Sequence, residues 1–561
     1  MKISSAQAKI PWSVLTLSAT LLLLTVLTLG GCADSGRETR VEQGNRDGVL
    51  HFGNGTEPQS LDPHIITGVP EDRIMKALFE GLVNTNPETL EIEPGVATRW
   101  EMSEDGRTYT FYLNPDARWS NGDPITAEDF RWSWQRALTP ELANPYSYMW
   151  APVVNAEAFA NGDIDDFSQV GVQKLDEYTL QVELFNPTPY FLQLMDHMNT
   201  LPVHRATVEA FGEPTSRLSR WAREGNIVSN GPFRLTEWVV NSHLRVEKSD
   251  TYWDADKVRL NAIVFYPTEN LITEERMFRN GQLHLTADVP MDKVPVYLRD
   301  EPDLIKIDPY LGTYFYIINT TREPFTDVRV RRALTKSVDR DLLAETVMEG
   351  IVEPAYGIVP PDTRGYHPPR TFSYNPDRAR ELLAEAGFAC GEGFPAFELL
   401  YNTHESHRQI AQAIQQMWQR ELGISATLVN QEWQVYLDTQ SNMDYDVSRR
   451  GWIGSYMDPN VFLSLFLTDG GNNHTGFADA RYDELILRVA PSRLDQDERF
   501  AAMQEAETRL LDAMPIIPIY TYQSKQLLHP AVQGRYPNII DHYNFRYIWL
   551  EDVSIEIDIE E

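Results

Sequence analysis

The stretch Tyr445-Asp446-Val447-Ser448-Arg449-Arg450-Gly451-Trp452-Ile453-Gly454-Ser455-Tyr456-Met457-Asp458-Pro459-Asn460-Val461-Phe462 starts as a strand. It then runs straight into two arginines, a Gly-Trp pair and a proline-containing loop. The residues before it give that strand a setting. Phe397 to Tyr401 reads as a strand, and His404 to Leu422 as a helix with Ile410, Ile414 and Met417 on one face, stopped by Gly423. Ile424 to Val429 alternates as a second strand, Trp433 to Gln440 is a short helix, and Tyr445 to Arg449 is a third strand. A β-α-β-α-β run of this kind builds a parallel sheet, and open parallel sheets bind ligands beyond the carboxyl ends of their strands. Asn402, Asn430 and Arg449 are expected along that edge, with His407 and Trp433 just beyond it. Two amides, an imidazole, a guanidinium and an indole suit a polar organic anion better than a lipid or a metal. Taken singly, the tryptophans also read as core and the two arginines as a solvated surface pair; their convergence on one edge favours a pocket.

At the other end, Lys2 and Lys9 precede an apolar run from Val14 to Leu29 that closes in Leu29-Gly30-Gly31-Cys32. This has the form of a secretory signal peptide, too short and one-sided for a membrane anchor. A cysteine directly after small residues resembles the bacterial lipobox, which implies cleavage before Cys32 and lipidation of that residue. The expected division is therefore a signal peptide over 1–31, then a lipidated cysteine and mobile tether over 32–48.

Removal of 1–31 leaves 530 of the 561 residues, enough for two or three lobes, and moves the net charge from −33 to −35. So acidic a chain lacks the clustered positive charge that a nucleic-acid partner requires. Only Cys390 remains beside Cys32, so no disulfide within the folded part is expected.

The folded part begins with a strand at Val49 to Phe52, a loop fixed by Pro58 and Pro63, and a helix over Glu71 to Leu82. A strand follows at Thr108 to Leu113, then a tight turn at Asn121-Gly122, and Thr126 with Asp129 forms a capping box that opens a helix ending before Pro140. The segment from Ser120 to Phe130, SNGDPITAEDF, resembles the signature of the periplasmic solute-binding proteins that serve peptide and nickel ABC importers. Further resemblances follow in that family's order: Val228-Ser229-Asn230-Gly231-Pro232-Phe233 before a hairpin, Tyr314 to Asn319, and Pro324 to Leu334 ending at Val338-Asp339-Arg340. The last reads as a helix capped by Thr326 or Asp327, with Val330, Leu334 and Val338 on its buried face. Shared forms such as NGTEPQSLDPH (54–64), LLYNT (399–403) and LVNQEW (428–433) resemble the oligopeptide-binding members most.

The resemblance implies an α/β fold of three lobes, two main lobes closing on the ligand about a hinge and one inserted lobe. Transferred here, lobe I takes 49–79, 205–311 and 523–561, lobe II takes 80–204 and lobe III takes 312–522, with the hinge at the crossings near 311 and 522. Ile555 to Glu560 alternates as a closing edge strand of lobe I. The implied ligand-binding residues are Tyr146, His197, Asn402, His407, Trp433, Arg449, Gly451, Trp452, Ile453, Ser455, Asn473 and Thr475. Arg449 and His407 are implied to hold a peptide carboxylate, and backbone groups near Gly451 to Ile453 to pair with the peptide main chain.

The chain departs from that pattern at several positions. Ser455 stands where an aspartate meets the peptide ammonium, and Thr67 and Ile317 replace two further acids. Gln440 and Met348 replace basic residues, and Gly312 with Ile453 replaces a pair of cysteines found in some members. Either Asp458 or another acid takes over from Ser455, or the ligand lacks a free amino terminus there. His404-Glu405-Ser406-His407 resembles HExxH, but its second histidine comes one residue early, so one ligand-contacting and one surface histidine is preferred to a zinc site. The expectation is a non-enzymatic, monomeric, lipid-anchored periplasmic receptor for short peptides, partnered by an inner-membrane ABC permease and needing no cofactor or metal. The alternatives are a murein-peptide or other non-standard ligand on the same fold and, remotely, a secreted metal-dependent hydrolase.

Overall fold

A computed structural model of the chain describes residues 38–361, 363–493, 495–553 and 555. The signal segment, Cys32 and the alternating 556–560 lie outside the described residues. Within them, no helix is long and apolar enough to cross a membrane.

In chain order the principal elements begin with helix α1 (Arg40–Asp47), strand β1 (Val49–Gly53) and helix α2 (Val69–Leu78). Strands β2 (Ala97–Met102) and β3 (Thr108–Leu113), helix α3 (Ala127–Leu138), and strands β4 (Val172–Asp176) and β5 (Thr179–Glu183) come next. The chain returns through β6 (Phe233–Val239), β7 (His243–Lys248) and β8 (Ala262–Tyr266). After these come β9 (Ile305–Ile318), α4 (Val328–Lys336), β10 (Glu353–Pro354), β11 (Phe397–Asn402) and α5 (Glu405–Leu422). The chain then continues through β12 (Ala426–Gln431), α6 (Trp433–Ser441), β13 (Val447–Ile453), α7 (Gln496–Ala513) and β14 (Ile516–Leu527).

These strands form three principal sheets and so three lobes, the α/β architecture expected from the sequence. Lobe I holds the order β1-β8-β7-β6, lobe II the antiparallel β2-β3-β5-β4, and lobe III the six-stranded β10-β14-β9-β13-β11-β12. In lobe III, β11 lies parallel to both β12 and β13, as the β-α-β-α-β reading requires. Two strand boundaries shift. Gly423 caps α5 at φ 72°, and the chain turns before pairing at Ala426. Strand β13 starts at Val447 and extends through Gly451 and Trp452 to Ile453, because antiparallel β9 pairs with it along that whole length.

Helix α2 stops four residues earlier than expected. The Gly231 N–H donates to the Leu78 carbonyl (2.8 Å), and the Asn230 side-chain amide accepts from the Glu80 N–H (3.1 Å) and donates to the Glu80 carbonyl (2.8 Å). The Ser229-Asn230-Gly231-Pro232 loop therefore occupies the end of that helix, and a Cβ on Gly231 would lie 2.6 Å from the Leu78 backbone. The tether reading also fails over 40–47. Thr39 and Glu42 form a reciprocal capping box (2.7 and 3.1 Å), Gly48 closes the helix in the left-handed region, and Val41 is buried against lobe I. Polar composition hid a docked helix whose Asn45 side chain sits 3.0 Å from His284.

Strands β9 and β14 cross together between lobes I and III. They pair Pro309 with Gln523 and Thr313 with Thr521, and the register breaks between those pairs, at Tyr310 to Gly312. Helix α4 is capped by Asp327 and buries Val330 and Leu334, with Val338 just beyond its end, in a core shared with Trp418 of α5.

Candidate functional site

A cavity of about 980 Å³ opens between the lobes, at the upper end of the range for ligand sites. Its walls come from α2 and the loop before it, the lobe II loop at 143–147, the carboxyl end of β11, α6, β13, the loop at 469–474 and Tyr522. The contacts across it join lobes: Tyr146 and Trp452 have ring centroids 6.0 Å apart, and the Asn472 side chain donates to the Pro145 carbonyl at 2.9 Å.

Arg449 is the central charge of this wall. Strand alternation sets its guanidinium over the Tyr314 ring at 4.8 Å. Nη2 donates to the Tyr522 hydroxyl (2.6 Å) and Nη1 to the Asn402 amide oxygen (3.4 Å), while the buried Nε has no partner. No carboxylate of the described residues comes within 4 Å of it, as the ion pairs of the other arginines make plain by contrast. A guanidinium stays protonated, so this is a half-buried cation with no carboxylate of the described residues beside it. Gly451 makes the arrangement possible: a Cβ there would lie 2.3 Å from the Tyr522 hydroxyl and 3.1 Å from Arg449 Nη2.

Neither histidine stands where it was expected: His404 lines the cavity instead of the outer surface, and His407 is buried behind it. His404, at the N-cap of α5, lines the cavity and lies 3.7 Å from Asp288. His407 stands behind it, rings stacked at 4.4 Å, beside Tyr314 and with a buried, partnerless Nδ1. Burial first, then Arg449 and His404, push the His407 imidazole well below its ordinary pKa, so it is neutral and adds no charge to an anion site. Among the described residues no group of three or more His, Cys, Asp or Glu is arranged to hold a metal.

Of the other expected residues, Tyr146, His197, Asn402, Trp433, Gly451, Trp452, Ile453 and Ser455 all line the cavity. Tyr146 packs edge-on against His197 at 4.7 Å, and burial holds the His197 ring at a pKa of about 3. Trp433 sits against Gly68 of lobe I, its indole N–H buried without a partner; Glu71 Oε2 nearby is likewise partnerless, and burial pushes that carboxyl up to about 7. Ile453 pairs in register with Gly312, and its Cδ1 lies 2.4 Å from where a Gly312 Cβ would be. The two departures from the cysteine pattern thus compensate each other in volume.

Asn473 and Thr475 do not line the cavity. The Asn473 side chain donates to the carbonyls of Phe466, Leu467 and Phe477 (3.3, 3.0 and 2.8 Å), and fully buried Thr475 donates to Asn473 at 2.7 Å. Their neighbours Asn472 and His474 reach the wall instead. Asn430 is exposed on edge strand β12, where it accepts from Thr403 at 3.1 Å. Thr67 and Gln440 line the cavity, whereas Ile317 and Met348 belong to the core. Asp458 is fully buried away from the wall and gripped by Arg499.

Several wall residues were not singled out from the sequence: His404, Tyr522, Arg450, Arg73 with its partner Asp541 (3.3 Å), and Lys76, which pairs with Asp196 (2.9 Å) outside the wall. Period-two alternation was the available signal for Arg450, since it separates that residue from Arg449 onto the other face of the strand.

Comparison with known proteins follows the same lines. A family model described as bacterial extracellular solute-binding proteins, family 5 middle, matches residues 91–474. The chain is 37% identical over 490 residues to the periplasmic oligopeptide-binding protein OppA of Escherichia coli K12, covering 86% of this chain and 88% of that one. The structure of the Escherichia coli murein tripeptide binding protein MppA superposes with a TM-score of 0.85 at 35% identity, covering 90% and 98% of the two chains. Haemophilus influenzae OppA in complex with the peptide RPPGFSPFR also gives 0.85, at 32% identity and 90% and 99% coverage. The unliganded open form of MppA gives only 0.60 at 35% identity, covering 90% and 97%. The lobes here are thus arranged more as in that peptide complex than as in the unliganded open form.

Proposed function

Because the chain belongs to family 5 of the bacterial extracellular solute-binding proteins, which bind solutes and are not enzymes, we propose that it captures short peptides outside the cytoplasm and delivers them to an ABC importer. The observation that carries this reading is Arg449, a half-buried cation on the wall of an interlobe cavity with no counterion among the described residues. A peptide's terminal carboxylate supplies the missing anion through two parallel N–H···O bonds.

The main chain has its own place. Strand β11 pairs with β13 only as far as Ser448, so from Gly451 onward that edge of β13 has no strand partner among the described residues, while β9 holds the other edge through Ile453. An extended peptide completes such an edge with backbone hydrogen bonds, which give affinity without reading side chains. The lobe boundaries are assigned as 49–79, 205–311 and 523–561, then 80–204, then 312–522. The register break at Tyr310 to Gly312 in the paired crossing strands supports a hinge there, and closure about it sequesters the ligand.

The mature protein is read as a monomer held to the membrane by lipid on Cys32. Cys32→Ser then releases it into the soluble fraction with peptide affinity unchanged, and equal membrane association of the two forms counts against the anchor. For the ligand, mass spectrometry of what co-purifies with the protein, followed by calorimetry, is the test: stoichiometric peptide is expected, and its absence together with no binding of any short peptide contradicts the reading. A murein peptide is the second candidate, favoured by the 37% identity to the periplasmic murein peptide-binding protein MppA over 489 residues.

A further inference from the structure

We infer that Arg450 is a second anion-recognition residue of the cavity, so that the preferred peptide carries a side-chain carboxylate in addition to the terminal one met by Arg449. This deepens the peptide-receptor reading and rests on it. Arg449 and Arg450 are consecutive on β13, so their side chains leave opposite faces of the sheet, yet both line the same cavity. The cavity thus wraps the carboxyl end of the sheet and meets one guanidinium on each side.

Arg450 is only 9% exposed, and its partners hold it in place without neutralising it. Nη1 lies 3.1 Å from His474 Nδ1, and Nη2 donates to the Asn472 amide oxygen at 3.2 Å. Asn472 is fixed from behind by its bond to the Pro145 carbonyl, and His474 Nε2 lies 3.0 Å from the Gly471 carbonyl, which assigns Nε2 as donor and Nδ1 as acceptor. That tautomer is neutral, and burial followed by the Arg450 charge keeps it so, at a pKa of about 3. No carboxylate of the described residues pairs with Arg450, whereas Arg73 and Lys76 on the same wall each have one. The Trp452 ring, 5.9 Å away, closes a further side. In a chain of net charge −33, a buried guanidinium held by two neutral acceptors and left without an acid is oriented for an anion that arrives from outside. A purely structural role, tying the 471–474 loop to the sheet, predicts no ligand preference at all.

The test is calorimetry of the full mature chain with short peptides of free carboxyl terminus in which each position in turn carries Glu or Gln. At one position Glu is expected to bind about tenfold tighter than Gln, the size of effect for a close charge pair. Arg450→Met should bring that ratio to near one, and Arg450→Lys should restore part of it. The wild-type ratio decides the matter even if Arg450→Met fails to fold: equal binding of Glu and Gln forms at every position overturns the inference while leaving a peptide receptor in place. Binding of no peptide overturns both. Repeating the pairs as carboxyl-terminal amides separates the two sources of carboxylate; if the effect of Arg450→Met follows amidation rather than the Glu-to-Gln change, Arg450 takes the terminal group and the second-carboxylate claim fails.

Discussion

Asp458 is gripped through both carboxylate oxygens by Arg499, at 2.8 and 2.6 Å, and both side chains are buried. The Asn460 N–H also donates to Asp458 Oδ1 at 3.0 Å. This acid holds the loop after β13 to α7 and is unavailable to a ligand's amino group. Asp458→Asn should therefore destabilise the fold by about 3–5 kcal/mol, the usual result of stranding one partner of a buried ion pair. Chemical denaturation measures this, and a stable variant with altered peptide selectivity would contradict it.

With Asp458 excluded as the substitute, Ser455 at the cavity rim carries the question of the amino terminus. Ser455→Asp should create a preference for free-amino over acetylated peptides of about 2 kcal/mol or less, the worth of one charge-assisted bond at a partly open rim. Paired calorimetric titrations of the two peptide forms test it. If acetylation already abolishes binding to the wild type and the substitution adds nothing, another wall acid supplies the anchor.

Gly451→Ala places a methyl 2.3 Å from the Tyr522 hydroxyl and must displace the bond from Arg449. Overpacking of this kind costs about 1–3 kcal/mol. The loss should appear in both melting temperature and peptide affinity, and it should shrink in a Tyr522→Phe background, where the obstructing oxygen is gone. Equal losses in the two backgrounds would place the clash elsewhere.

Stability should fall in mild acid. Burial holds His51, His64, His404, His529 and His542 at about 4, against an ordinary value of 6.5. Each is neutral in the fold and protonated in the unfolded chain below 6.5, so its contribution is present above that value and is lost as pH falls towards 4. Glu71 and Glu507, raised to about 7, and Glu274, raised to about 8, act in the opposite sense, as do Asp72, Glu80, Asp129, Glu269 and Asp541, which burial also raises; His197, His284, His407 and His474, likewise held low by burial, keep the histidines in the majority. The melting temperature should therefore drop between about pH 7.5 and pH 5; a flat or rising profile would contradict the burial of these rings.

The lobe III core was legible because its signals are local. A hydrophobic period marked α5, a run of sufficient length marked α6, and Gly423 marked a turn; in lobe II, Thr126 with Asp129 likewise marked a capping box that the structure contains. What was not legible depends on partners distant in sequence or on irregular backbone. The Asp458 to Arg499 pair spans two elements, and no spacing rule announces it. Asn473 and Thr475 lie in a loop without period, where a shift of one residue exchanges wall for interior. His404 and His407 look alike in sequence, but the N-cap position turns the first towards the cavity and the helical turn buries the second. Helix α1 was lost to its polar composition, because its docking depends on His284 and Gly281, more than two hundred residues away.

On the proposed reading, Arg449 receives the terminal carboxylate of a peptide. Calorimetry of one short peptide, as free acid and as carboxyl-terminal amide, against wild type and Arg449→Ala, tests it most directly. The substitution should weaken binding of the free acid by about 2–5 kcal/mol, the range for truncating one side of a buried charge pair, and amidation should add little further loss in the variant. Wild-type affinity for the free acid in Arg449→Ala, or an equal penalty for amidation in both proteins, would remove Arg449 from the site.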